Sequence, residues 1–80
     1  RHELGRFDES RTAFEAAALL FDQLAVAHAD RVAYRQGLAN VLVNLAHHYR
    51  TRGASHEMLE YERHALALRE QLAADYPASD

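Results

Sequence analysis

The stretch YRQGLANVLVNLAHHY, residues 34–49, decides how this 80-residue chain folds. Advanced at about 100° per residue, Tyr34, Leu38, Val41, Leu42, Leu45 and Tyr49 fall within one arc roughly 100° wide. Gln36, Asn40, Asn44, His47 and Thr51 gather around the opposite direction. That division of apolar from polar residues is the mark of an amphipathic helix, which must bury one side and wet the other. Gly37 interrupts it at a cost near 1 kcal/mol relative to Ala, which predicts that another backbone passes close by.

Punctuation on either side sets the ends of this helix. Asp30 offers a carboxylate to the first unpaired amides, as an N-cap does. Downstream, Thr51-Arg52-Gly53-Ala54-Ser55 forms a break, with Gly53 suited to the left-handed residue after a helix end and Ser55 to capping the next helix. A third helix then carries Met58, Tyr61, Ala65, Leu68, Leu72 and Tyr76 on one stripe, with Leu59 and Leu66 beside it. It should stop at Tyr76, because Pro77 disfavours helical geometry in the residue before it. Upstream, Gly5 reads as a turn glycine, and Asp8 and Glu9 fall in the first turn of a helix whose dipole they complement. Phe14, Ala17, Ala18, Phe21, Leu24, Ala25 and His28 continue that helix. A second apolar set, Ala13, Ala16, Leu19 and Leu20, covers much of its remaining surface and predicts burial on most sides. Phe7, Phe14 and Phe21 recur every seven residues and read as core packing.

The expectation is therefore all-α: three helices of about 20 residues, each antiparallel to the last. Composition agrees, with 16 Ala and 11 Leu, no Ile, Trp or Lys, and only four Val and two Thr. Ala, Leu, Arg, Glu and Gln lose little on entering a helix, whereas strands want the β-branched residues that are scarce here. A chain this short buries only about 60–65% of its unfolded surface, so its core is marginal by itself. Cys is absent, so neither disulfides nor thiolate metal sites reinforce it.

Nine Arg against twelve acidic residues leave a net charge of −3, and the arginines are scattered. Nucleic-acid binding wants a concentrated basic face, and none is visible. The longest unbroken apolar run, residues 16–21, is far short of the roughly 20 residues that span a bilayer. These features, with no signal-peptide pattern, lead to the expectation of a soluble, cytoplasmic piece of a longer protein that starts with Arg1 and binds neither nucleic acid nor membrane.

Shifting the chain by 48 residues against itself aligns Gly5 with Gly53, Glu9 with Glu57, Ala17 with Ala65 and Leu20 with Leu68. It also aligns Gln23-Leu24-Ala25 with Gln71-Leu72-Ala73. A period of that size in a helical chain signals stacked hairpins, an α-solenoid. Asn44-Leu45-Ala46, Tyr49, Gly53, Glu57, Ala65-Leu66-Ala67-Leu68-Arg69-Glu70 and Leu72 together resemble the tetratricopeptide repeat (TPR), in the long form of kinesin light chains and of bacterial arrays. The resemblance covers residues 30–77 as one helix-turn-helix repeat, with residues 5–28 as the second helix of the repeat before. The chain thus divides into 1–29 and 30–80, the latter holding helices at about 31–52 and 55–76. Met58 stands where the family has a small Ala, and Glu62 where it often has an aromatic, with Tyr61 one position earlier. Ser10, Phe14 and Ala17 fit the small–aromatic–small pattern better. A larger residue at 58 bears on how closely the paired helices approach.

The polar stripe of the second helix is the candidate site. The chain's only two Asn, Asn40 and Asn44, both sit in mid-helix, each costing roughly 0.5 kcal/mol against Ala. A surface needing only solubility would use Glu or Arg. Asn offers a donor and an acceptor together, matching the alternating groups of an extended peptide backbone. In the resembled family the first helix of each repeat lines a concave groove, and an Asn at the position of Asn44 commonly contacts peptide. The expected binding set is Asn40, Val43, Asn44, His47, Arg50 and Thr51, with His47, Arg50 and Thr51 making side-chain or carboxylate contacts. The plain alternative is a solvated face, or an Asn bonded to the adjacent helix.

Six His are many for this length, yet none forms a metal signature. His56 and His64 lie about 12 Å apart along a helix axis, too far for one ion, and His56-Glu57 with Glu60 misses the His-Glu-x-x-His pattern. Nothing suggests a nucleophile, a perturbed carboxylate pair or a phosphate loop. The expectation is a non-enzymatic scaffold for protein interaction, without cofactor or metal, that presents a groove to an extended peptide or partner surface. The alternative is a structural spacer or self-association module of a larger protein, for example the repeat tail of a bacterial serine/threonine kinase. In either case the open flanks of the outer helices would be covered by flanking repeats or by a second copy.

Overall fold

In the computed structural model three antiparallel helices follow one another, α1 (His2–Ala27), α2 (Val32–Thr51) and α3 (Ser55–Asp75). The structure describes residues 2–76, with side chains from Asp8 onward; the expected role of Phe7 lies outside the described side chains. Gly5 sits inside α1 rather than in a turn before it, because one glycine costs only about 1 kcal/mol and the residues around it continue the helix.

The helix junctions correct two expected caps. α2 begins from Arg31, whose extended backbone (φ −94°, ψ 95°) occupies the N-cap, and no side chain caps the helix. Asp30 falls one residue early, in a turn closed by Arg31 N–H donating to the His28 carbonyl at 2.9 Å. Likewise Ala54, not Ser55, is the N-cap of α3. The reason lies in how α2 ends. Gly53 takes φ +74°, the only positive φ among the described residues. Its N–H donates to the Arg50 carbonyl at 3.0 Å, and the Ala54 N–H to the Tyr49 carbonyl at 2.9 Å. This pair of bonds is a Schellman motif, and it spends the two residues after the cap on closing α2. Ala54 is then left to open α3, and Met58 N–H donates to its carbonyl at 3.0 Å. α3 ends at Asp75, and Tyr76 has left helical geometry (φ −132°, ψ 78°), as a residue before proline should.

α2 is the middle of the layer. It supplies Leu38, Ala39, Leu42, Leu45 and Ala46 to the buried core, where α3 adds Ala65. Phe14, Ala18 and Phe21 of α1 close over one flank, and Tyr61 and Leu68 of α3 over the other. Each buried leucine stabilises the fold by about 1.5–3 kcal/mol, so most of the hydrophobic drive passes through one helix. α2 packs on both neighbours, while α1 and α3 share no backbone approach within 8 Å among the described residues. The result is an elongated layer with a radius of gyration of 13.9 Å, against about 11.6 Å for a compact domain of this length.

Gly37 faces a ring and not a backbone: a Cβ built there would lie 2.7 Å from Cε1 of Phe21. Its missing side chain is the seat for Phe21, and this seats α1 closely on α2. The outer helices meet through side chains. The Tyr49 hydroxyl donates to Oε2 of Glu15 at 3.3 Å, and its ring stacks on Tyr61 with centroids 5.5 Å apart. Burial, reinforced by the negative charge of Glu15, raises the Tyr61 phenol above its ordinary pKa. At the opposite end Arg35 pairs with Asp75 at 2.8 Å, its guanidinium 5.7 Å from the centre of the Tyr76 ring.

Burial of α1 on most sides does not occur. Leu19 is 60% exposed, Leu20 56% and Val26 77%. Leu20 and Leu68, matched by the 48-residue shift, differ in environment: Leu68 packs against the core, whereas Leu20 faces away from α2. A three-helix layer covers only the α2-facing side of an outer helix. No described helix is long and apolar enough to cross a membrane.

Candidate functional site

With its apolar face held between α1 and α3, α2 turns its other face outward. Asn40, Val43, Asn44, His47, Arg50 and Thr51 are all exposed there, and so is Gln36. The cause is the sequence period: these residues lie roughly 110–175° from the centre of the arc holding Leu38, Leu42 and Leu45, where no neighbouring helix meets them.

Beside this face the seam between α2 and α3 opens into a cleft of about 340 Å³ lined by Gln36, Ala39, Asn40, Arg69 and Leu72. Ala39 and Leu72 contribute apolar surface, and Gln36, Asn40 and Arg69 contribute amides and a guanidinium. Nη2 of Arg69 donates to Oδ1 of Asn40 at 3.5 Å, a long contact that leaves the Asn40 NH₂ group unpaired among the described residues. Asn44 makes no side-chain hydrogen bond among the described residues, so its donor and acceptor both meet solvent.

The remaining residues of the stripe run past the cleft toward the C-terminal end of α2. Thr51 lies about 16 Å from Asn40 along the axis. Its hydroxyl donates to the His48 carbonyl at 2.8 Å, so its proton serves the helix end and only its lone pairs face outward. Nη2 of Arg50 is 3.8 Å from Oε2 of Glu62; both side chains are largely exposed, and a surface pair of this kind contributes about 0–1 kcal/mol and is readily exchanged for another carboxylate. His47 and His48 part company: His48 lies against Phe14 with ring centroids 5.0 Å apart, while His47 stays exposed.

The electrostatics of the face follow from one compositional fact. Between residues 32 and 51 there is no Asp or Glu, in a chain whose net charge is −3. Arg35 is taken by Asp75 and His48 by Phe14, so the outward face of α2 keeps Arg50, paired at 3.8 Å with Glu62, while Arg69 reaches the cleft from α3. The outward face of α2 is therefore the acid-free, amide-bearing side of an acidic molecule, edged by two arginines that can meet an approaching carboxylate.

Of the residues expected from sequence, the structure places Asn40 in the cleft and Val43, Asn44, His47, Arg50 and Thr51 on the open face beside it. Arg69, Ala39 and Leu72 were not among those expected. Nothing in the sequence tells which side of α3 borders the polar face of α2; the acid-free run of α2, by contrast, is visible in the residues alone. His56, Glu60 and His64 are exposed on α3, and among the described residues no three His, Cys, Asp or Glu are grouped to hold a metal ion. No protein-family model matches the chain, and neither a curated protein nor a solved structure does.

Proposed function

We propose that this chain is a non-catalytic, TPR-like interaction module that holds an extended peptide bearing carboxylates along the outward face of α2. The single observation that carries this reading is that the Asn40 NH₂ group and the Asn44 amide, without partners among the described residues, stand in and beside a cleft lined by Arg69, on a helix that has no acidic residue. The Asn40 and Asn44 amides supply hydrogen bonds to a peptide backbone. Arg69 and Arg50 supply charge-assisted bonds to carboxylates. Ala39 and Leu72 give a small side chain an apolar floor. Structure accounts for these two mid-helix Asn only in part: Asn40 accepts one long bond from Arg69 of α3, Asn44 has no side-chain bond among the described residues, and neither caps a helix.

Fluorescence anisotropy with three labelled octapeptides, alternating Ala with Asp, with Ser or with Lys, tests the proposal. The Ala–Asp peptide should bind tightest, and more weakly as salt rises. Replacing Asn40 and Asn44 together by Ala should weaken it about 5- to 30-fold, from roughly 1–2 kcal/mol of lost hydrogen bonding, with helicity equal or higher. Equal binding of the Ala–Lys peptide, or unchanged affinity in the double variant, would overturn the assignment.

A further inference from the structure

Tyr49 lies in the last turn of α2 and Tyr61 in the second turn of α3, on either side of the turn at Gly53. Their rings stack nearly parallel, with planes 14° apart and centroids 5.5 Å apart. Both hydroxyls are drawn to one carboxylate. The Tyr49 hydroxyl donates to Oε2 of Glu15 at 3.3 Å, and the Tyr61 hydroxyl reaches Glu15 as well. Arg11, one turn earlier on α1, hydrogen-bonds the Tyr49 hydroxyl and limits the rotation of that ring. Two phenols whose oxygens converge on one carboxylate also bring together the carbons beside those oxygens, the Cε positions. Both rings are half-buried, so packing holds them while an edge stays open to a small oxidant. Packing alone would be met by Phe at both positions, which stacks as well and brings no hydroxyl to satisfy. The other two tyrosines keep different company: Tyr34 faces His28 with centroids 5.8 Å apart, and Tyr76 lies by Arg35.

We propose that Tyr49 and Tyr61 form an oxidative cross-linking site, at which a peroxide-driven one-electron oxidant couples the two rings Cε to Cε and staples α2 to α3. Each phenol gives one electron to the oxidant and its hydroxyl proton to a base, which for Tyr49 is Glu15. The two phenoxyl radicals then join through the carbons ortho to oxygen, which stacked rings present face to face. The ring hydrogen at each end of the new bond moves to the oxygen as both rings regain aromaticity. In sum, two phenols and one peroxide give one biphenol and two molecules of reduced peroxide: two waters from hydrogen peroxide, two hydrogen sulfates from persulfate. The bond ties the end of one helix to the start of the next across the Gly53 turn, and it fixes the hairpin against opening. The site is independent of the peptide face of α2.

Photo-oxidation of the dilute chain with tris(bipyridyl)ruthenium and persulfate, a small oxidant that also works in urea, tests this. The expected product is a 9.1 kDa monomer lighter by two hydrogens and fluorescent as a biphenol. Tryptic fragments 36–50 and 53–63, which carry Tyr49 and Tyr61, should stay joined in it. The folded chain should give at least tenfold more of it than the chain unfolded in urea, because folding holds the rings together. Tyr49→Phe and Tyr61→Phe should each abolish the product, and Tyr34→Phe with Tyr76→Phe should leave it unchanged. Glu15→Gln keeps an acceptor but removes the base, and should slow coupling about 3- to 10-fold. Circular dichroism confirms that each variant stays helical. The stapled chain should melt on the order of 10 °C higher, since the closed loop restrains the unfolded state. An equal yield in urea, a product confined to covalent dimers, or fragments that stay joined in Tyr61→Phe would overturn the proposal. So would a coupling rate that Glu15→Gln leaves unchanged, or a staple that does not raise the midpoint.

Discussion

Replacing Gly37 by Ala sets two known effects against each other. Ala in mid-helix gains about 1 kcal/mol over Gly, so at an open site the substitution would stabilise the protein by that amount. Here the new Cβ would stand 2.7, 2.8 and 3.0 Å from Cε1, Cζ and Cδ1 of Phe21. Three ring atoms move as one plate, so relief requires the whole ring to swing out of its seat between α1 and α2. Overpacking of this kind costs typically about 1–3 kcal/mol. The net expectation is a loss of about 1 kcal/mol, or a fall of roughly 4–8 °C in midpoint temperature for a domain of this size. A double-mutant cycle isolates the clash. In a Phe21→Leu background the plate is gone, and Gly37→Ala should become stabilising by up to about 1 kcal/mol, giving a coupling of about 1–2 kcal/mol. Urea unfolding followed by circular dichroism at 222 nm measures all four corners. Stabilisation by Gly37→Ala in the natural background, or a coupling indistinguishable from zero, would show that Phe21 does not rest on Gly37.

Leu45, fully buried at the centre of the core, should be the most sensitive apolar position. Leu45→Ala costs about 2–5 kcal/mol against a total stability of roughly 4–12 kcal/mol for 80 residues, so the midpoint of thermal unfolding should fall by about 8–40 °C. Gly53→Ala places a Cβ at φ +74° and should lower stability by about 1–2 kcal/mol in urea titrations, with Gly53→Asn milder. The raised Tyr61 pKa means that the folded state favours the protonated phenol. That contribution is complete below the unfolded value near 10 and is lost as pH rises through the higher folded value. The urea midpoint should therefore fall as pH climbs above 10, and Tyr61→Phe should flatten the decline.

Most of the architecture is readable from local patterns, because amphipathic periodicity and turn chemistry are properties of neighbours in sequence. Residues 34–49 show the central helix, Gly53 shows its end, and Pro77 limits the third. The misread details depend on competition at junctions or on distant contacts. Asp30 and Ser55 both have good capping chemistry, yet each misses the cap by one residue, because the preceding turn and the Schellman closure at Gly53 settle where extended geometry falls. Gly37 signals a close neighbour, but only the folded structure shows that neighbour to be Phe21. The apolar breadth of α1 suggests cover on two sides, and a three-helix layer provides one. In the candidate site the stripe on α2 is legible because it lies on a single helix. Arg69 and Leu72 enter through the pairing of α2 with α3, whose rotation no local signal specifies.

The most direct test of the account follows the side-chain amides of Asn40 and Asn44 by ¹⁵N–¹H NMR while the Ala–Asp octapeptide is added. They are the chain's only Asn, so their signals separate readily from those of the three Gln by mutation. The account predicts saturable shifts of both Asn side-chain amides and of backbone amides around Gln36 and Arg69, with Ala16 and Leu20 on the outer side of α1 unmoved. Shifts confined to α1, or Asn signals that hold still while the peptide binds, would contradict it.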